Sequence, residues 1–123
     1  MEGNGLRILV IDDERAIRRY LRTSLGAHGY IVCEATTGQE ALAAVTSERP
    51  DLVILDLGLP DMDGAEVTRR LREWTQIPII IVSVREREED KIAALDAGAD
   101  DYLTKPFGIG ELMARIRVAV RRS

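Results

Sequence analysis

Apolar residues fall along this chain in two alternating rhythms. Five short, nearly unbroken apolar runs recur: Arg7–Ile11 (RILVI), 30–35 (YIVCEA), 52–55 (LVIL), 77–83 (IPIIIVS) and 100–104 (DDYLT). Runs of this length, rich in Val and Ile and bounded by Gly, Pro or Asp, predict strands buried on both faces, as in a parallel sheet. Between them lie stretches with helical spacing. Residues 14–28 carry Ile17, Leu21 and Leu25 on one face, and Gly29 is a plausible stop. Thr37 with Glu40 three residues on forms a capping-box pattern for a short helix through Ala41, Leu42 and Val45. A third helix is predicted over 64–74, with Val67, Leu71 and Trp74 on one stripe. After a charged segment, 85–91, comes a helix of small and apolar residues, Ile92–Leu95, stopped near Gly98. The last helix aligns Ile109, Leu112, Met113, Ile116 and Val120, and ends in arginines, which suit a helix C-terminus.

Strand and helix thus alternate five times. The pattern predicts an α/β fold of the flavodoxin-like (βα)5 kind: a doubly wound parallel sheet, right-handed crossovers and strand order 2-1-3-4-5. In that order ligands bind at the carboxyl edge, where strands one and three meet. Asp12 and Asp13 end the first strand and Asp56 ends the third, so all three arrive at this edge. Ser83 and Lys105 end the fourth and fifth strands and flank it.

Composition narrows the function without choosing it. The chain has 123 residues, 46% hydrophobic and 31% charged, which is an ordinary globular balance for one domain. With 21 acidic and 17 basic residues the net charge is -4, which does not favour a free-standing nucleic-acid binder. Cys33 is the only cysteine, so no disulfide framework or zinc motif exists. No run reaches membrane-spanning length and the first residues lack signal-peptide character, so a cytoplasmic protein without membrane insertion is expected.

Taken singly, each edge residue has an ordinary role. Asp12 and Asp13 could cap the first helix, Asp56 could close a strand, Ser83 could sit in a turn, and Lys105 could be a solvated lysine. Together they pose a problem, because converging carboxylates raise one another's pKa unless something positive intervenes. Magnesium answers it: it binds through one or two carboxylates, keeps waters and accepts phosphate oxygens. Lys105 adds a second positive charge suited to phosphate, and Ser83 a neutral donor. The set suits a phosphoryl group accepted on a carboxylate, with Asp56 as nucleophile and an aspartyl phosphate as product.

These residues also carry a resemblance. IDDE after the first strand, ILDLGLPDMDG around Asp56, IVS ending the fourth strand and GADDYLTKPF at the fifth resemble a response-regulator receiver domain over nearly the whole chain. The subfamily resembled is OmpR/PhoB. The stretches AIRRYLRTSLGAHGY and DKIAALDAGADDYLTKPFGIGELMARIRVAVRR are similar to its potassium-responsive regulators.

The resemblance implies several roles. Asp56 would be the phosphoacceptor, and Asp12, Asp13, Asp56 and the Gly58 carbonyl would hold Mg2+. Lys105 and Ser83 would contact the phosphoryl group, and the Lys105–Pro106 bond would be cis. Tyr102 would be an aromatic switch that turns inward on activation; otherwise it is a half-buried sheet-edge tyrosine with a wet hydroxyl. The phosphodonor would be a sensor histidine kinase, and the domain a switch that catalyses its own phosphorylation and dephosphorylation rather than an enzyme. The active state would be a homodimer through helix 4, strand 5 and helix 5. Its charges would be Lys91, Asp96, Asp100, Asp101, Glu111, Arg115, Arg117 and Arg122, with Lys91 facing Glu111 and Asp101 facing Arg115 across the interface. Residues 1–123 would form one receiver domain, and the full-length protein would reach DNA through a further C-terminal domain, to control transcription, including that of potassium-transport genes. One departure stands out: after Ser83 the family usually has a small residue, and here Val84 is expected to crowd the site.

Other functions on this fold fit less well. A flavin carrier needs a Ser/Thr/Gly-rich phosphate loop after the first strand, where this chain has three acids. Haloacid-dehalogenase-type phosphatases place a D-x-D pair there, which is absent. A receiver-like module that binds partners without phosphorylation is the alternative that keeps the fold.

Overall fold

A computed structural model describes residues 2–123. The elements run β1 (Arg7–Ile11), α1 (Arg15–Ala27), β2 (Ile31–Ala35), α2 (Gly38–Glu48), β3 (Leu52–Leu55), α3 (Gly64–Arg72), β4 (Ile79–Ser83), α4 (Glu88–Asp96), β5 (Asp101–Thr104) and α5 (Ile109–Arg122). The five strands form one parallel sheet in the order β2-β1-β3-β4-β5. This is the predicted doubly wound fold.

The period of two along each strand divides the core into two layers. Leu9, Ile11, Val53, Leu55, Ile79 and Ile81 pack on one side with Ala41, Val45, Val67, Leu71 and Ala94 of α2, α3 and α4. Ile8, Val10, Leu52, Ile54, Ile80 and Val82 pack on the other with Leu21 and Leu25 of α1 and Leu112, Met113 and Ile116 of α5. A sheet covered on both faces explains why the strands read as continuous apolar runs. Two glycines mark close approaches. A Cβ on Gly64 would lie 2.5 Å from the Asp56 carbonyl oxygen, and one on Gly38 would collide with the Met62 side chain.

Several local expectations need correction. Helix α3 ends at Arg72, so Trp74 leaves the buried stripe and is 56% exposed. The guanidinium of Arg72 explains the early stop. It donates to the carbonyls of Thr75, Ile77 and Gly98 and to Asp100, drawing the chain off the helix towards β4. β4 accordingly begins at Ile79 rather than at position 77. Helix α4 begins at Glu88, inside the segment read as merely charged, because Glu88, Glu89 and Asp90 fill its first turn and complement the helix dipole. The capping box at α2 is offset: Thr37 Oγ1 accepts from Glu40 N, but Glu40 Oε1 accepts from the amide and hydroxyl of Thr36, not from Thr37 N.

Candidate functional site

Register builds the site. Ile11 lies beside Leu55 in the β1–β3 pair, and Asp56 N donates to the Ile11 carbonyl at 2.9 Å. The next residues, Asp12 and Asp56, therefore emerge side by side at the carboxyl edge. Ser83 lies beside Thr104 in the β4–β5 pair, and Lys105 N donates to the Ser83 carbonyl at 2.8 Å. Both flanking groups are thus fixed by the same ladder of parallel strands.

Asp12, Asp13 and Asp56 each present a carboxylate oxygen within 4.8 Å of the others. Asp12 and Asp56 are buried, while Asp13 faces solvent. Lys105 Nζ sits 2.9 Å from Asp12 Oδ2, 3.7 Å from Asp56 Oδ2 and 3.9 Å from Glu14 Oε1. The second oxygen of Asp12 accepts from Glu14 N at 2.9 Å, so Asp12 orders the turn leading into α1 and anchors the lysine at once. Arg18 of α1 donates to the Asp12 carbonyl at 2.9 Å and pairs with Glu34 of β2, bracing the acidic turn from behind.

Electrostatics follow from this packing. Burial pushes the Asp56 carboxyl above its usual range; the Asp12 charge adds to this, while Lys105 and the amides of Leu57 and Gly58 oppose it. Burial alone would lower the Lys105 ammonium. The hydrogen bond to Asp12 and the charges of Asp12, Asp56 and Glu14 outweigh it and hold the lysine above its ordinary value. With these groups charged, the three carboxylates and one ammonium leave two net negative charges among oxygen donors. That donor set and charge suit a hard divalent cation such as Mg2+. Gly58 lies at the mouth, two residues beyond Asp56, with its amide turned to that carboxylate.

Ser83 is buried, and its Oγ accepts from Arg85 N at 3.2 Å. Tyr102 is half-buried: its hydroxyl donates to the Arg85 carbonyl at 2.8 Å, and burial raises its pKa. The Lys105–Pro106 bond is cis. Val84 is 69% exposed, so its side chain is not packed into the core beside Ser83.

The charges expected at a dimer face divide into two groups. Lys91 Nζ lies 5.8 Å from the centre of the Tyr102 ring, and Arg115 reaches Asp101 and Glu111 at 3.4 Å each within the chain. Asp96 and Arg122 are exposed. Asp100 instead pairs with Arg72 and accepts from Ile79 N, and Arg117 pairs with Glu2 near the chain's start. Both therefore have partners within the chain, as Arg115 does.

The sequence reading missed three residues around the site. Arg85 pairs with Asp63 at 2.7 Å and so links the β4–α4 loop to the N-cap of α3. Asp61 bonds the amides of Gly38 and Gln39. Glu14 stands beside Lys105. No spacing could have revealed the Asp61 and Arg85 contacts, because their partners lie more than 20 positions away.

The model of the response regulator receiver domain matches residues 8–117. The chain belongs to the response regulator receiver family. It is 61% identical over 115 residues to the KDP operon transcriptional regulatory protein KdpE of Escherichia coli K12, covering 94% of this chain and 51% of that protein. It is 56% identical over 116 residues to KdpE of Mycobacterium tuberculosis, covering 94% and 51%. Both relatives are regulators of the OmpR/PhoB type, and the chain spans about half the length of the curated relatives it matches. Among solved structures, the BeF3-activated N-terminal receiver domain of Klebsiella pneumoniae RstA superposes with a TM-score of 0.90 at 32% identity, covering 94% of this chain and 98% of that one. A two-component response regulator from Clostridium difficile gives 0.92 at 30%, covering 95% and 97%. Among the described residues, no helix of this receiver is long and apolar enough to cross a membrane.

Proposed function

We propose that this receiver accepts a phosphoryl group on Asp56 from the phosphohistidine of a sensor histidine kinase. The observation that carries the reading is the meeting of three carboxylates within 4.8 Å beside a buried lysine. Asp12, Asp13 and Asp56, with the Gly58 carbonyl, would hold Mg2+, which when bound supplies positive charge to the phosphoryl oxygens. Asp56 offers an oxygen to phosphorus while the donor's bond to phosphorus breaks and the electron pair leaves with the imidazole. Burial keeps this carboxylate more basic than an exposed one, which favours its attack. Lys105, charged and held by Asp12, faces the charge that develops on the transferring group. Ser83 contributes its hydroxyl, which can exchange the Arg85 amide for a phosphoryl oxygen.

The output proposed is symmetric pairing through α4, β5 and α5, using Lys91, Asp96, Asp100, Asp101, Glu111, Arg115, Arg117 and Arg122. Such pairing would position a C-terminal DNA-binding domain of the full-length protein, with potassium-transport genes the target class suggested by the KdpE relatives. Residues 1–123 would be the phosphoacceptor half. The test is intact-protein mass after acetyl phosphate, with Mg2+ or chelator, on wild type and Asp56→Ala, followed by light-scattering mass. One magnesium-dependent adduct, absent from Asp56→Ala and accompanied by dimers, is expected. No adduct from either acetyl phosphate or a kinase would leave a phosphorylation-independent binding module.

A further inference from the structure

The loop after Asp56 is anchored at both its root and its tip. At the root, Gly58 and Asp63 bridge in antiparallel fashion, and Gly64 N donates to the Leu57 carbonyl at 2.9 Å. Gly58 and the tip, Leu59–Met62, are therefore parts of one closed turn. At the tip, Asp61 reaches the start of α2, where its Oδ1 accepts from Gly38 N at 2.7 Å and its Oδ2 from Gln39 N at 2.9 Å.

A helix leaves its first four amides without intrahelical partners. In α2, Thr37 takes the Glu40 amide, and Asp61, from another loop, takes the two before it. These bonds also hold the Asp61 carboxyl below the usual carboxylate range, as expected for an anion at a helix N-terminus. Met62 closes the seam by packing where Gly38 has no Cβ. The seam extends to the acidic pair: the β2–α2 connection starts at Ala35, whose carbonyl accepts from Asp12 N at 3.1 Å. The first turn of α2 thus ties the loop holding Asp12 to the loop holding Gly58.

Thr37 alone would cap α2. A second, bidentate cap from 23 residues away immobilises a loop that carries a candidate metal ligand. We propose that Asp61, seated on Gly38, is a positioning residue for magnesium: without touching the ion, it sets where the Gly58 carbonyl stands relative to Asp12, Asp13 and Asp56. The proposal rests on reading that cluster as a magnesium site.

The test is calorimetric titration of Mg2+ into the protein well below its unfolding temperature, combined with amide exchange at positions 38 and 39. Wild type is compared with Asp61→Asn, Gly38→Ala and a surface control, Arg70→Ala. Asp61→Asn removes the charge and one acceptor. Gly38→Ala keeps every charge and displaces Met62 and Asp61 from the helix. Both variants are expected to bind Mg2+ roughly tenfold more weakly, the scale for losing an outer partner of a metal site, with the control unchanged. Wild-type affinity in both variants would overturn the proposal and leave Asp61 a helix cap. Weakening in Asp61→Asn alone would also overturn it, since charge rather than position would then set affinity. A wild-type protein that binds no Mg2+ would remove the underlying reading itself.

Discussion

Lys105 is anchored on Asp12 rather than on Asp56: its ammonium lies 2.9 Å from the first carboxylate and 3.7 Å from the second. Asp12 is fully buried, so the pair fixes the lysine while leaving Asp56 free of a direct hydrogen bond to it. The Lys105→Met variant leaves two buried carboxylates without their cation. It is expected to lose up to about 3 kcal/mol of stability in chelator, near the lower end for removing one partner of a buried pair. Mg2+ should restore more stability to this variant than to wild type. The sign with pH also follows. The folded-state value of Lys105 is raised, so its contribution is fully present below 10.5 and is lost as pH rises through the raised value. Thermal melts with and without Mg2+ check both points, and equal midpoints for the two proteins would contradict them.

Asp56 carries the opposite cost. Its folded-state value is raised above 3.8, first by burial, so its contribution is present below 3.8 and lost as pH rises through the raised value. At neutral pH the ionised carboxylate weakens the metal-free fold. Asp56→Asn is expected to be more stable than wild type in chelator at neutral pH, by on the order of 1 kcal/mol, the scale for incompletely compensated burial of one polar group. The gain should vanish below pH 3.8. Denaturant melts across pH measure it, and a gain independent of pH would point to packing instead.

Val84 follows Ser83 at the carboxyl edge and is 69% exposed, so crowding by this residue acts from the solvent side of the site. The Val84→Ala variant is expected to incorporate phosphoryl groups from acetyl phosphate faster than wild type. Equal labelling rates would rule the crowding out.

The in-chain pairs of Arg115 with Asp101 and Glu111, at 3.4 Å on the surface, cost little to exchange for contacts with a second copy. Arg115→Ala is expected to weaken dimerisation of the phosphorylated protein on the order of tenfold, and added salt should weaken the wild-type dimer. Sedimentation at several salt concentrations tests both. A dimer affinity indifferent to salt and to Arg115 would place the interface elsewhere.

Strand order, the meeting of Asp12, Asp13, Asp56 and Lys105, and the place of Ser83 at the end of β4 were legible because they depend on where apolar runs end, and a run's end is written locally. Trp74 was misread because its helical spacing from Val67 and Leu71 continues past Arg72, whose guanidinium gathers three carbonyls from two segments, at Thr75 and Ile77 and at Gly98, and stops the helix. The start of α4 was hidden because an exposed first turn of acids has no apolar rhythm. Asp61 and Arg85 look like ordinary loop charges; only the folded loops bring them to Gly38 and Asp63. Local pattern thus gives the reactive groups, while the contacts that brace them are long-range and polar.

Asp56, rather than Asp12 or Asp13, is the carboxylate proposed to take the phosphoryl group. Borohydride reduction after phosphorylation in Mg2+, followed by peptide mass mapping, separates the three, because an acyl phosphate is reduced to the alcohol where a free carboxylate is not. Reduction at Asp56 alone, abolished by chelator, is the predicted result. Reduction at Asp12 or Asp13, or an adduct resistant to borohydride, would contradict it.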